Sequence, residues 1–239
     1  MRYGNKPLRH ELKYFIHSHE YVSLKNSISR ILVKDQYGIE DDGYHIRSLY
    51  FDDILNSAYH EKENGIDHRK KYRIRIYNNS DSLIKLERKE KFGQYIGKEA
   101  VKLSKEQFYR ILDGNLDFLL TSGHALMKAF YVEIKTKLLK PKVIVDYERE
   151  AYICKAGNVR ITFDKKLQAG VHGVDIFSDR VITVNAIEHP KMILEIKYDD
   201  FLPGHVRSAV QLSNYEYCAI SKYVICRNVQ RIAQRKEIV

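Results

Sequence analysis

Residues 71–91, KYRIRIYNNSDSLIKLERKEK, can fold in few ways. Side chains in a strand switch faces at every residue. Arg73, Arg75 and Tyr77 alternate with Ile74 and Ile76. After the polar turn Asn78-Asn79-Ser80-Asp81-Ser82, Lys85, Glu87, Lys89 and Lys91 alternate with Ile84 and Leu86. The pattern predicts an antiparallel hairpin with one apolar face and one densely charged face. Taken alone, such a hairpin is a sheet with one wet side. Its recurrence along the chain changes that reading.

RHELKYFIH, residues 9–17, reads as a strand with Glu11, Lys13 and Phe15 on one face and Leu12, Tyr14 and Ile16 on the other. KMILEIKY, residues 191–198, sets Glu195 and Lys197 opposite Leu194 and Ile196. Further strands are expected at 44–52, 95–103, 142–153, 158–167 and, briefly, 181–184, with a turn at Ala156-Gly157-Asn158. Helices are expected at 19–33, with Ser18 as N-cap, and at 54–63, ending at Gly65. A mostly helical region is opened by Ser104, with Glu106 and Gln107 in its first turn, and ended by Pro141. A last helical region spans 203–231, with a break near Ser213. No repeat or Pro/Gly/Ser linker interrupts the chain, so residues 1–239 read as a single α+β domain.

The chain has 44% apolar and 30% charged residues, which suits a soluble globular protein. A net charge of +10 points to a polyanionic partner or an acidic surface. Cys154, Cys218 and Cys226 are too few and too scattered for a disulfide framework or a zinc site, and imply a reducing, cytoplasmic setting. No apolar signal core or membrane span is evident, so any membrane association is expected to come through a partner protein. Nucleic-acid binding would require cations interleaved with exposed aromatics, or a recognition helix. Here the cations sit in strands at period two, opposite apolar residues, which argues against nucleic acid.

An open sheet would leave these charged faces in solvent. A closed barrel offers another solution: helices cover the apolar outside, and the charges line a wet interior. The faces in question carry Glu11, Lys13, Arg73, Arg75, Glu87, Lys89, Lys91, Glu195 and Lys197. Many cations converging with a few carboxylates suit a polyphosphate with a divalent metal. Arg and Lys hold phosphate oxygens, and glutamates are hard ligands for Mg²⁺ or Mn²⁺.

In this order and spacing, RHELKYF (9–15), SLYFDD (48–53), KENGIDHRKKYRIRIY (62–77), KLERKEK (85–91), GKEAVK (97–102), YEREAY (147–152), VRITFD (159–164), LEIKY (194–198) and ISKY (220–223) resemble the VTC-type polyphosphate polymerase domain of the triphosphate tunnel metalloenzyme (CYTH-like) superfamily. The resemblance covers nearly the whole chain. It implies an eight-stranded antiparallel barrel forming a tunnel, with helices outside. It implies transfer of the γ-phosphate of ATP onto a growing polyphosphate chain, with Mn²⁺ or Mg²⁺. By position it gives Lys13, Arg73, Arg75, Lys89 and Glu195 the catalytic roles. It gives Arg9, Lys62, Lys91, Lys102, Arg149, Arg160, Lys197 and Lys222 phosphate-binding roles. Glu195 is the implied metal ligand, with Glu11 and Glu87 as further candidates. Hydrolytic members of the superfamily carry Glu-x-Glu-x-Lys on the first strand; here Arg9 stands at the first Glu, which favours the polymerase branch over simple triphosphate hydrolysis. A binding module for polyphosphate or inositol phosphates, without turnover, would share the cations but not need Glu195.

No Gly-x-x-x-x-Gly-Lys-Ser/Thr loop and no Gly-x-Ser-x-Gly elbow occurs. His10, His17 and His19 read as structural or surface groups, and His68 as a weaker phosphate candidate. Asp52-Asp53 reads as a structural turn, Cys218 and Cys226 as core thiols on one helix, and Lys135, Lys137, Lys140 and Lys142 as a solvated face.

Overall fold

The computed structural model describes residues 2–3, 6–35, 43–211 and 215–236. Its framework is a closed ring of eight antiparallel strands. In chain order these are β1 (Arg9–His17), β2 (Tyr44–Asp52), β3 (His68–Tyr77), β4 (Ser80–Phe92), β5 (Tyr95–Leu103), β6 (Lys140–Cys154), β7 (Val159–Gly170) and β8 (Lys191–Tyr198). Around the ring they run β7-β8-β1-β5-β4-β3-β2-β6, and β6 closes onto β7. Short strands Val33–Lys34 and Thr183–Asn185 pair at the margins of β6 and β7.

The central hairpin is tighter than the sequence suggests. Asn78 and Asn79 both take left-handed backbone, with φ of 50° and 52°, and Tyr77 pairs directly with Ser80. Asn tolerates that region, and two such residues in succession match the twist of the flanking strands. The expected five-residue turn therefore shrinks to two.

Among the described residues, seven α-helices surround the ring: α1 (Ser18–Ile28), α2 (Ser57–Glu63), α3 (Lys105–Leu112), α4 (Asp117–Thr121), α5 (Ala125–Lys137), α6 (Gly204–Val210) and α7 (Lys222–Lys236). Ser104 and Gln107 form the expected capping box of α3. Asp52 and Asp53 form the expected structural turn, accepting the backbone N–H groups of Ala58, Tyr59 and Ser57 at the start of α2. Several boundaries differ from the sequence reading, among them the start of α2, at Ser57 instead of Ile54, and α7, which runs to Lys236 instead of Arg231. The first helix begins at Ser18 itself and stops at Ile28, because Leu32 turns back into the core and Val33 pairs with Ile153. The region after Ser104 divides into three helices at Gly114 and Gly123, both with positive φ. The short strand starts at Thr183 instead of Val181. The expected break near Ser213 lies outside the described residues.

The apolar strand faces point outward. Ile74, Ile76, Ile84 and Leu86 pack under Phe108, Leu119, Met127 and Phe130 of α3–α5. Tyr14, Ile16, Phe163, Leu194 and Ile196 pack under Leu24, Ile28, Val206 and Val210 of α1 and α6. Helix α7 does something different. Its Tyr223, Val224 and Cys226 pack on Val143, Val145, Leu167, Ala169 and Ile193. By alternation Val143 and Val145 share a strand face with Tyr147, and Ile193 shares one with Glu195. The inner face is thus apolar at the end where α7 begins and charged beyond it.

A charged barrel interior as the candidate active site

Period two carries the functional side chains into the ring. Arg69, Lys71, Arg73, Arg75 and Tyr77 project from β3; Lys89 and Lys91 from β4; Glu11 and Lys13 from β1; Glu195 and Lys197 from β8. They line a cavity of about 440 Å³ together with Arg9, Lys62, Lys98, Arg149, Arg160 and Lys222. Of the described lining residues fourteen are Lys or Arg, and two are carboxylates, Glu11 and Glu195.

Buried acids hold the innermost cations in place. Glu87 is fully buried and receives Arg73 at 2.6 Å, Lys98 at 2.9 Å and Arg75 at 3.9 Å. Asp164 takes Arg149 in a two-pronged pair at 2.6 and 2.8 Å, and Lys222 as well. Such forks fix the guanidinium plane. Tyrosines finish the job: Arg73 donates to Tyr50 at 2.7 Å, and Arg75 to Tyr147 and Ser48 at 3.0 Å each.

Glu11 and Glu195 form the acidic centre of the cavity. Lys13 bridges them, 2.8 Å from Glu11 and 3.5 Å from Glu195, and Lys197 also touches both. Burial opposes ionisation of Glu195, but Lys197, Lys13, Lys222 and Arg149 outweigh it and hold the carboxyl well below the usual range. Glu11 is likewise held low despite burial and Glu195, by Lys13, Lys89 and Lys197. Both are therefore carboxylates at neutral pH. Among the described residues no group of three or more His, Cys, Asp or Glu could hold a metal ion. A divalent cation here would be held by Glu195 and Glu11, with a ligand's phosphate oxygens completing the shell. That donor set fits Mg²⁺ or Mn²⁺, which commonly bind through one or two carboxylates and a phosphate substrate.

Lys71 is left short of negative charge, and Lys89 shares Glu11, 2.8 Å away, with Lys13 and Lys197. Lys71 donates to Ser221 Oγ at 3.1 Å and lies 5.0 Å from the centre of the Tyr223 ring. No carboxylate of the described residues pairs with it. Burial and the neighbouring Arg69, Lys89, Lys13 and Lys62 hold its amine well below the ordinary lysine value. Burial, opposed by Glu11 and reinforced by Lys13 and Lys197, takes Lys89 down to about 7. An arriving polyanion would relieve this repulsion.

Most residues implied by the resemblance converge here: Arg9, Glu11, Lys13, Lys62, Arg73, Arg75, Lys89, Lys91, Arg149, Arg160, Glu195, Lys197 and Lys222 all line the cavity. Two do not. Lys102 is exposed and lies beyond the cavity, four residues past Lys98 on the same strand face. Glu87 sits behind Arg73 and Arg75, saturated by cations, so it orients arginines and is not placed to take a metal. Arg9 reaches the cavity but is tied at 2.8 Å to Asp199. His68 is exposed and stacked on Phe92, away from the cavity. Cys226 is buried on α7 as expected, but Cys218 lies outside the helix and lines the cavity.

The sequence reading missed Arg69, Lys71, Lys98 and Ser221. The first three stand at the same parity as Arg73 or Lys89 on their paired strands, and extending the alternation would have found them. Ser221 carried no local signal.

A family model for the VTC domain matches residues 8–230. The chain belongs to the VTC domain family. Among solved structures, this VTC chain resembles an adenylyl cyclase candidate from Hippeastrum with a dominant triphosphatase activity (12% identity, TM-score 0.56, 92% of this chain and 95% of that one). It also resembles adenylate cyclase candidates from Bacillus halodurans (14%, 0.51, 87% and 90%) and Vibrio parahaemolyticus (11%, 0.50, 92% and 97%). At such identities the likeness shows the fold alone, a ring of eight antiparallel strands with helices outside. No curated protein matches the chain.

Proposed function

We propose that this protein is a metal-dependent polyphosphate polymerase that moves the γ-phosphoryl group of ATP onto a growing phosphate chain. The carrying observation is a cavity lined by fourteen described Lys and Arg side chains around a paired Glu11–Glu195 centre. Phosphoryl transfer needs positioning and charge stabilisation more than a covalent nucleophile. In this reading Arg73, Arg75, Lys13 and Lys89 hold the triphosphate. Arg149, Arg160 and Lys222 face it from the other wall, and Lys62, Lys91 and Lys197 extend the cationic track for a chain. Glu195, with Glu11, would hold Mn²⁺ or Mg²⁺, which would supply positive charge to offset the negative charge that develops on the phosphate oxygens. The terminal phosphate of a chain is already ionised, so no strong base is required of the protein.

A tunnel triphosphatase is the second reading, favoured by the two adjacent carboxylates. One assay separates them: labelled ATP and Mn²⁺, with products resolved on a gel. Long phosphate polymers are expected. Release of free phosphate alone would assign the triphosphatase, and no turnover with any divalent metal would leave a binding module.

The arginines give a second expectation. Arg73→Ala and Arg75→Ala should each weaken binding of a non-hydrolysable ATP analogue by about 1.5–3 kcal/mol, the range for a lost charge-assisted hydrogen bond. Calorimetry showing unchanged affinity in both would remove them from the triphosphate site.

A further inference from the structure

We infer that Ser221, paired with Lys71, is itself a phosphoryl acceptor: its hydroxyl takes the γ-phosphoryl group of ATP and starts a chain on the protein. The inference rests on the reading of the cavity as an ATP site. Ser221 immediately precedes α7 and lines the cavity. Its Oγ accepts the Val224 N–H at 3.4 Å, which anchors the oxygen at the helix start. The Lys71 amine lies 3.1 Å from the same oxygen. Lys13, the cation shared by Glu11 and Glu195, donates to the Ile220 carbonyl at 3.2 Å, one residue from Ser221. Arg73 follows Lys71 on the same strand face, about 6.8 Å along. Lys13, Arg73 and Ser221 line the same cavity, so a phosphoryl group held by those two cations shares it with the Ser221 hydroxyl.

A serine hydroxyl is a weak nucleophile until an adjacent base takes its proton. Lysine serves as that base where burial or neighbouring cations keep its amine neutral. Lys71 is surrounded by Arg69, Lys89, Lys13 and Lys62, with the Tyr223 ring beside it. Glu61 of α2 acts on it only at longer range. The pairing is specific to this part of the cavity: Arg73 and Arg149 face buried acids, whereas Lys71 faces a hydroxyl. In the transfer, Ser221 Oγ bonds to the γ-phosphorus and the bond from that phosphorus to the β,γ-bridging oxygen breaks. Its electron pair leaves with ADP, and the hydroxyl proton passes to Lys71 Nζ. The phosphoserine produced offers ionised oxygens of the same kind as a polyphosphate end, so the next transfer needs no free primer.

The test uses the full chain with labelled ATP and Mn²⁺ and no added polyphosphate, read by intact mass and peptide mapping. Wild type is expected to gain phosphoryl groups on the peptide holding Ser221. Ser221→Asn keeps a competent helix cap but has no nucleophile, and should stay unlabelled there. Lys71→Met should label at least about tenfold more slowly and lose the rise of rate with pH. Wild type unmodified at Ser221, or Lys71→Met labelled at the wild-type rate, overturns the pairing. A parallel arm supplies wild type with tripolyphosphate. Lengthening of that primer without label on Ser221 retires this inference and leaves the polymerase reading. Label on Ser221 without lengthening does the reverse, and neither signal removes both.

Discussion

Glu195→Gln is expected to lower ATP turnover with Mn²⁺ by roughly a hundredfold or more, the scale on which a preorganised charge contributes to a transition state. The same substitution should leave affinity for tripolyphosphate in a chelator equal or higher. The two effects have one origin. Glu195 is ionised and nearly buried, with Lys197, Lys13 and Arg149 around it. As a ligand it attracts a cation; as a charge it repels phosphate. Its amide does neither. Measuring turnover and metal-free affinity on the same preparations separates these roles. Equal turnover in the two proteins would remove Glu195 as metal ligand, and a parallel loss of metal-free affinity would mean that the cavity had collapsed.

Glu87→Gln should destabilise the fold by about 3–5 kcal/mol at pH 7, because breaking a buried ion pair leaves its partners uncompensated. Arg73, Arg75 and Lys98 all converge on this carboxylate, which has no exposure of its own. Burial opposes its charge, yet Arg73, Arg75 and Lys98 hold its pKa well below the ordinary value. A carboxyl whose pKa is depressed by folding contributes stability above the unfolded pKa and loses it as pH falls through the folded one. The gap between wild type and variant should therefore be full at pH 7 and narrow below about pH 4. Urea denaturation at both pH values measures it. A difference under about 1 kcal/mol at pH 7 would show that water, and not Glu87, compensates these arginines. Tripolyphosphate should restore part of the loss, since a ligand bound only by the folded state adds stability.

These two glutamates show what alternation alone can and cannot tell. The period-two pattern placed Glu87 and Glu195 on the same face as Arg73 and Lys89, and the ring confirms that parity. It could not tell that one looks into the cavity and the other lies behind a guanidinium. That depends on depth along a tilted strand and on the length of the neighbouring side chain. Lys102 illustrates the same limit: its parity is right, but it stands beyond the charged layer. The apolar inner layer, Val143, Val145 and Ile193, was hidden for a related reason. In the sequence these residues look like any outward-facing core positions, and only the path of α7 reveals what they meet. Ser221 was invisible because its partner, Lys71, lies on a distant strand. The turn of the central hairpin was misjudged in length because two adjacent asparagines, each able to adopt left-handed backbone, do the work of five residues.

The two ring strands farthest apart in the sequence pair with each other, β1 with β8: Lys13 lies opposite Glu195 and Glu11 opposite Lys197. On its other edge β1 meets β5 only at Arg9–Ile96 and His10–Tyr95. Of the eight ring strands, β1 leaves a ribosome before the others and waits for β8 before most of its hydrogen bonds exist. Pairing between such distant segments makes for slow folding. During the wait β1 is a strand with open edges, the kind of template on which chains stick to one another. Its alternate residues Glu11 and Lys13 keep one face hydrated and charged throughout. The side chains that later meet a ligand's phosphates would, in the unfinished protein, act as a guard against aggregation.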